Sequence, residues 1–350
     1  MEENITPDII NAPKENGCIN CGSIAVLKGY PNALCETCRE NFIKHPIPPW
    51  IKLFAAGIGL IFLFSLYKIP KDIGLGVHLE KGRTAFSEKK YLTAQKELAR
   101  VVKQVPDNEE AEGYLLMAAF YNQDFETMQK AFENLKGKQI DDEDLFREVN
   151  NVLQKSDEYF GDDSLNSLLH KYNDDFSKIP DKVVMQFIDS NQVDIYVMTG
   201  YASRLNEQSK YAASDSLLQK ALGITPDYLP ALEVMASTKR MENQLDESIN
   251  YCNKILSINK ESVYALASKS RTLLKQKKDE EALSTAKNAL LLNETDAYSM
   301  SSLLLVYHFT NKSKEKEALM NKLSLLKDTA SIETFQYAKD VMSGKEPFRN

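Results

Sequence analysis

ALGITPDYLPAL (221–232), ILSINKESVYAL (255–266) and ALLLNETDAYSM (289–300) repeat one pattern, each copy beginning about 34 residues after the last. Self-similarity at such a period marks a stack of like units, each too small to bury its own apolar face. Taking Ile195 as position 1, Ala202 falls at position 8, Tyr211 at 17, Leu218 at 24, Ala221 at 27 and Pro226 at 32. Small residues at positions 8 and 20 let paired helices approach closely, and the proline at 32 ends the second helix. The same register places Ala236 and Ile255 in the next unit, then Ser270, Ala282, Ala286 and Ala289. Counted from Leu75, Gly82, Ala94, Leu98 and Pro106 occupy positions 8, 20, 24 and 32, and the unit after brings Leu116, Phe125 and Phe132. Residues 141–194 break the register with an acidic run at 141–144 and Gly161-Asp162-Asp163, so they read as a divergent helical section. In the last unit Ala318 lies two residues late for position 20, which predicts a longer turn at Thr310–Lys314. Ser331–Val341 then reads as a capping helix over the final unit.

This register resembles the tetratricopeptide repeat, in five or six units over most of residues 75–328. The resemblance implies a mainly α fold: an α-solenoid over residues 72–344, with clear repeats at 75–138 and 195–328. It also implies a concave groove, lined by positions 2, 5, 9 and 12, that takes a protein or peptide partner. Position 2 holds Tyr196, Tyr264 and Tyr298, while Arg240, Arg271 and His308 stand at 9 or 12. These six are the expected groove contacts, and packing against the preceding repeat is the other role open to the tyrosines. The Lys, Asn and Arg set that chaperone-tail clamps of this family use is absent, since positions 5 and 9 hold Thr199, Ser203, Glu233, Ser237, Ala267 and Arg271. Two arginines in an acidic surround suit a partner carboxylate.

Before the repeats stands GCINCGSIAVLKGYPNALCETCRENF, with Cys18 and Cys21 in one CxxC and Cys35 and Cys38 in another. Four thiolates so spaced suit tetrahedral Zn²⁺, and with no position left open for water the site reads as structural. A metal-free thiol cluster is the alternative. Gly22 permits the tight turn after the first pair, Ile24, Val26 and Leu27 supply candidate strands, and Cys35–Lys44 reads as helix. The CxNCG and LCxxC runs resemble the treble-clef and ribbon zinc fingers, including the GATA-type and B-box-like groups. In GATA fingers basic flanks contact DNA. Here Lys28 is the only basic residue between the pairs. The finger is therefore expected over residues 17–45, preceded by a flexible tail over 1–16.

Between finger and repeats lies WIKLFAAGIGLIFLFSLYKI, Trp50–Ile69, with no charged side chain between Leu53 and Tyr67. As a helix these twenty residues extend about 30 Å, one hydrocarbon core, with Trp50, Lys52, Tyr67 and Lys68 as interfacial anchors. They are expected to form a single transmembrane helix. Zinc thiolates need a reducing compartment, which puts the finger and N-terminus on the cytoplasmic side and the solenoid on the other. Lysines and arginines flanking the span are nearly balanced and do not decide the orientation.

The 350 residues carry a net charge of −7, and residues 72–350 hold 36 Lys and Arg against 44 Asp and Glu. An acidic solenoid counts against nucleic acid as its partner. The four histidines, His45, His78, His170 and His308, stand in no catalytic motif, and no phosphate-binding loop occurs. Cys252, at position 24 of its repeat, is a small core hydrophobe. The chain thus reads as a non-enzymatic, membrane-anchored scaffold. Alternatives are a membrane-tethered regulator whose finger contacts nucleic acid, and an accessory subunit of an enzyme complex.

Overall fold

The computed structural model describes residues 17–44, 48–191 and 194–349, the side chains of 44 and 66–72 excepted. The expected tail over 1–16 lies outside them. Two compact units emerge, residues 1–73 and 74–350. The first holds α1 (Glu36–Lys44) and the start of α2 (Pro49–Ser87). Pro49 opens α2, where its missing amide hydrogen costs no helical bond.

In the second unit the period becomes visible in the helix starts. The end of α2 pairs with α3 (Tyr91–Gln104), where Gly82 meets Leu98 and His78 meets Glu97, and α4 (Glu109–Tyr121) pairs with α5 (Phe125–Leu135). Four further units follow: α9 (Ile195–Glu207) with α10 (Tyr211–Ile224), α11 (Leu229–Met241) with α12 (Leu245–Ile258), α13 (Val263–Lys275) with α14 (Asp279–Leu292), and α15 (Ala297–Phe309) with α16 (Ser313–Leu323). In these four units the first helices start at Ile195, Leu229, Val263 and Ala297 and the second at Tyr211, Leu245, Asp279 and Ser313, both series at the constant interval of the sequence pattern. The closing helix α17 (Thr329–Met342) packs on α15.

Each turn between paired helices uses one left-handed residue at position 15: Lys89, Gln123, Ser209, Asn243, Lys277 and Asn311, at φ between 56° and 63°. The next amide then reaches back to the carbonyl five residues earlier, as in Lys90 N to Ala85 O (2.8 Å) and Lys278 N to Leu273 O (3.0 Å), closing a Schellman-type cap. The first helices of four units are capped at their starts. Asn108, Asp194, Ser262 and Asp296 accept from the amide three residues on, at 2.7–3.2 Å. The small residues at positions 8 and 20 also share a hydrogen bond. Ser214 and Ser248, at position 20, donate to Ala202 O and Ala236 O at position 8, whereas in the next unit Ser270, at position 8, donates to Ala282 O. In these three crossings one side carries the hydroxyl and the other an alanine, so the backbones come close without an unpaired carbonyl.

Two expectations need correction. Helix α6 (Glu143–Ser156) begins one full period after α4, with Asp142 as its N-cap, so the acidic run at 141–144 continues the register one helix further before it is lost. No longer turn occurs at Thr310–Lys314: α16 starts on register at Ser313, and Leu319 and Leu323 are its buried residues in place of Ala318. Of the span expected over Trp50–Ile69 the side chains of 66–69 lie outside the described residues, and among the described residues no helix is long and apolar enough to cross a membrane. The described apolar stretch, Trp50–Ser65, would extend about 24 Å, and the side chains of Tyr67 and Lys68 lie outside the described residues.

The section after α6 reverses the array. A short 3₁₀ turn, Asp157–Tyr159, replaces the expected second helix, followed by α7 (Asp163–His170) and α8 (Asp181–Ser190). Tyr159 is buried edge-on against Phe120 and Tyr228, at 5.0 and 4.7 Å between centroids. Tyr228, at the cap position of α11, provides no capping side chain, and the Leu229 amide donates instead to the Tyr159 hydroxyl (3.3 Å). Arg204 on α9 ties down the chain between α7 and α8, donating to Phe176 O and Ile179 O and pairing with Asp181.

As a result the first two units dock on the loop after α12. Lys260 N donates to Lys89 O (2.9 Å), and the Glu261 carboxylate accepts from both the amide and the hydroxyl of Thr93 (2.7 Å each). Buried Asn259 donates to Tyr121 O and Asn122 Oδ1, and Gln123 donates to the Glu233 carboxylate (2.7 Å). Enclosure there pushes the Glu233 carboxyl up to about 7, although the Gln123 amide holds it down.

The left-handed turns give a direct check. Lysine at φ near +63° carries a backbone penalty that glycine lacks, and asparagine tolerates that region better. Lys277, exposed and without a side-chain hydrogen bond among the described residues, should gain about 0.5–1 kcal/mol on replacement by glycine. Asn243→Gly should gain less. Urea unfolding measures both, and a loss of stability in Lys277→Gly contradicts the turn geometry.

Candidate functional site: four cysteines and a tyrosine-arginine cleft

In the first unit the Cys18, Cys21, Cys35 and Cys38 sulfurs all lie within 4.8 Å of one another, and Cys21 Sγ to Cys35 Sγ is 3.5 Å. A tetrahedron with Zn–S near 2.3 Å has sulfurs about 3.8 Å apart, so the donor set fits that ion. Local chain geometry builds it. Gly22, at φ +75°, turns the chain so that its amide donates to Cys18 O and the Cys18 amide to Ser23 O, while Ile19 N reaches Ala33 O and joins the two halves. The second pair sits where α1 begins, with the Cys38 amide donating to Cys35 Sγ, and Asn20 Nδ2 donates to Cys38 Sγ (3.3 Å). The Cys35 amide leads in lowering Cys18 to about 6, whereas for Cys21 the Ser23 amide is outweighed by the three neighbouring sulfurs, which push it up to about 12. One thiolate forms readily beside the others and the next resists, a repulsion that a divalent cation relieves. The expected strands at Ile24, Val26 and Leu27 are not formed: no strand occurs among the described residues, and Ile24 is exposed. Arg39 closes the finger, its guanidinium 3.5 Å over the Tyr30 ring.

In the second unit Tyr264, Tyr298, Arg240 and Arg271 come together in one cleft of about 320 Å³ that Tyr337 of α17 also lines. Tyr264 and Tyr298 stack at 5.2 Å, 8° from parallel. The Arg271 guanidinium lies 4.0 Å over the Tyr298 ring, and Arg240 Nη2 donates to the Tyr298 hydroxyl (3.4 Å). Tyr264 donates to Glu233 O (3.0 Å). Tyr264 and Tyr298 thus pack against the neighbouring repeat, and they also wall the cleft. Burial acts to raise the Tyr298 phenol, but the two guanidiniums outweigh it and hold it below the usual range.

The other two expected contacts sit elsewhere. Tyr196, half-exposed, lines an apolar cavity of about 350 Å³ with Phe125, Tyr159, Phe176 and Tyr228, which shares Ser203 and Val234 with the cleft. His308 is not among the residues of either; its ring lies 5.0 Å from Phe309 and its pKa is lowered by burial and by Lys316. Cys252 is fully buried, its thiol raised by that burial. The sequence reading missed Tyr337, which belongs to the capping helix and so to no repeat position, and the apolar cavity, whose walls come in part from the section without a period.

The finger yields a metal prediction. Structural zinc contributes on the order of 10–16 kcal/mol of apparent folding free energy in small finger peptides. Purified under reducing conditions, the protein should carry one zinc per chain by elemental analysis, and Cys35→Ser should carry less than half of that. A wild-type stoichiometry near zero rules out the metal centre.

No protein-family model matches the sequence, and no curated protein matches it. Solved structures similar to the chain share little sequence with it. MamA is 9% identical over 45% of this chain and 88% of its own, with a TM-score of 0.35. PilF of Pseudomonas aeruginosa is 11% identical over 77% and 99%, at 0.33. YrrB, described as a TPR protein with an unusual peptide-binding site, is 16% identical over 46% and 82%, at 0.32. At these TM-scores the likenesses carry no argument, and the tetratricopeptide-like character of the solenoid rests on its own periodic register of paired helices.

Proposed function

We propose that the protein is a docking scaffold without chemistry of its own, whose solenoid holds an extended segment of a protein partner across the two adjoining cavities. The observation that carries this reading is their continuity through Ser203 and Val234. An apolar side chain of the partner fits the cavity beside Tyr196, and the next part of its chain runs along the Tyr264–Tyr298 stack. Stacked aromatics beside arginine are the groups that most often carry interface energy. The finger is a small metal-held module, and its near-neutral charge favours a protein over nucleic acid as its neighbour.

Alanine replacement of Tyr264 and Arg271 is a poor test, since Arg271 is buried and bonded to Ser301 and Ser302 and its loss would disturb packing. Ser203→Trp is better, because the residue is half-buried at the junction of the cavities and tryptophan fills the passage. Partner capture should fall at least tenfold with the melting temperature within a few degrees of wild type. A folded variant that captures as before removes the cavities from the binding surface.

We further propose that residues 50–69 tether the protein to a bilayer, with the finger on the cytoplasmic side. Support comes from Trp50, Leu53, Phe54, Leu60, Ile61, Phe62 and Leu63, which are 63% to 79% exposed around the helix. Side chains this apolar are not left in water on all faces of a helix without an apolar cover. The protein should stay in the membrane fraction through alkaline carbonate extraction, and release there contradicts a spanning tether.

A further inference from the structure

We propose that the cleft between Arg240 and Arg271 is an oxyanion site that takes a phosphoryl group, free or carried on a ligand. Both side chains are 5% exposed, and both line the cleft. Among the described residues, the hydrogen bonds they donate go to neutral hydroxyls. Arg240 donates to Ser268 Oγ (2.7 Å), Ser237 Oγ (3.1 Å) and the Tyr298 hydroxyl, and Arg271 to Ser302 Oγ (2.8 Å) and Ser301 Oγ (2.9 Å). Neither has a carboxylate of the described residues within ion-pair distance.

Three other enclosed cations of the solenoid are treated differently, whereas half-buried Lys275 donates to Arg240 O (3.2 Å). Lys239 pairs with Asp215 (2.9 Å), Arg204 with Asp181 (3.1 Å) and Arg349 with Asp279. Guanidinium stays ionised in proteins, so burial cannot be relieved by losing the proton. Two charges therefore stand next to one cleft, oriented by hydroxyls that do not neutralise them. The depressed Tyr298 phenol reports the same uncompensated field.

Charge and donor count select the ligand. A carboxylate supplies one negative charge and leaves one guanidinium uncompensated. A phosphoryl group near neutral pH carries between one and a half and two charges and presents three acceptor oxygens, enough to meet both guanidiniums. The only acid lining the cleft, Glu207, is exposed and pairs with neither arginine. A volume of about 320 Å³ admits phosphate with room for what bears it.

This inference deepens the reading of the cleft as a docking site, but phosphate alone tests it without the partner. Titration of the full-length protein with sodium phosphate at fixed ionic strength, followed by calorimetry, should give saturable one-to-one binding. Acetate should not displace it. Arg271→Gln should weaken phosphate at least tenfold. Should that variant fail to fold, Arg271→Lys, which keeps the charge and loses the planar fork, should weaken it at least threefold. Phosphoserine binding at least as tightly as phosphate assigns the group to a carried ligand, whereas phosphate binding with phosphoserine excluded assigns it to the free ion. No saturable binding, binding unchanged in the folded arginine variants, or equal competition by acetate overturns the proposal. Loss of partner capture in Ser203→Trp without phosphate binding leaves the docking reading and removes this one.

Discussion

Thr93 gives two hydrogen bonds to the Glu261 carboxylate across 168 residues of chain, and the arrangement of the solenoid depends on that contact and its neighbours. A uniform stack of repeat units carries its ends apart, each repeat touching only the next. Here the loop after α12 instead receives the turns of the first two units. The bonds that hold them, from Lys260 to Lys89 and from Asn259 to Tyr121, involve backbone groups that would otherwise lose water on burial without a partner. The hairpin turns must end in the left-handed residues Lys89 and Gln123 for those groups to present themselves, so the periodic turn chemistry and the non-periodic docking are one design.

The reversal that makes docking possible centres on Tyr159. Its ring joins Phe120 of the second unit to Tyr228, and its hydroxyl takes the amide at the start of α11 that Tyr228 leaves uncapped. Reversal also supplies the walls of the apolar cavity, with Phe125 from one arm and Tyr196 and Tyr228 from the other. The binding surface is thus a product of the irregular section as much as of the repeats.

Much of this was legible beforehand, and the exceptions have physical reasons. Positions 8 and 20 marked the close crossings in the units that carry glycine, alanine or serine there, and four cysteines in two CxxC pairs marked their own cluster. Tyr264, Tyr298, Arg240 and Arg271 met because a constant period brings their positions to one face; Tyr196 did not join them, since it stands on α9, one helix pair before Arg240, nor did His308, which stands near the end of α15 against Phe309. The docking contact left no trace. Asn259 and Glu261 are ordinary turn residues, and nothing periodic pairs them with Tyr121 and Thr93. Ala318 misled because it was weighed as a small residue, whereas α16 buries Leu319 and Leu323 and packs on α15.

A double-mutant cycle on Thr93→Val and Glu261→Gln, with urea unfolding of the full-length chain, addresses the closed arrangement most directly. Residues in contact and sharing a charge-assisted hydrogen bond should show a coupling energy of about 1 kcal/mol or more. Effects that add within about 0.3 kcal/mol, as for sites that never meet, would contradict the docking of the first two units on the loop after α12.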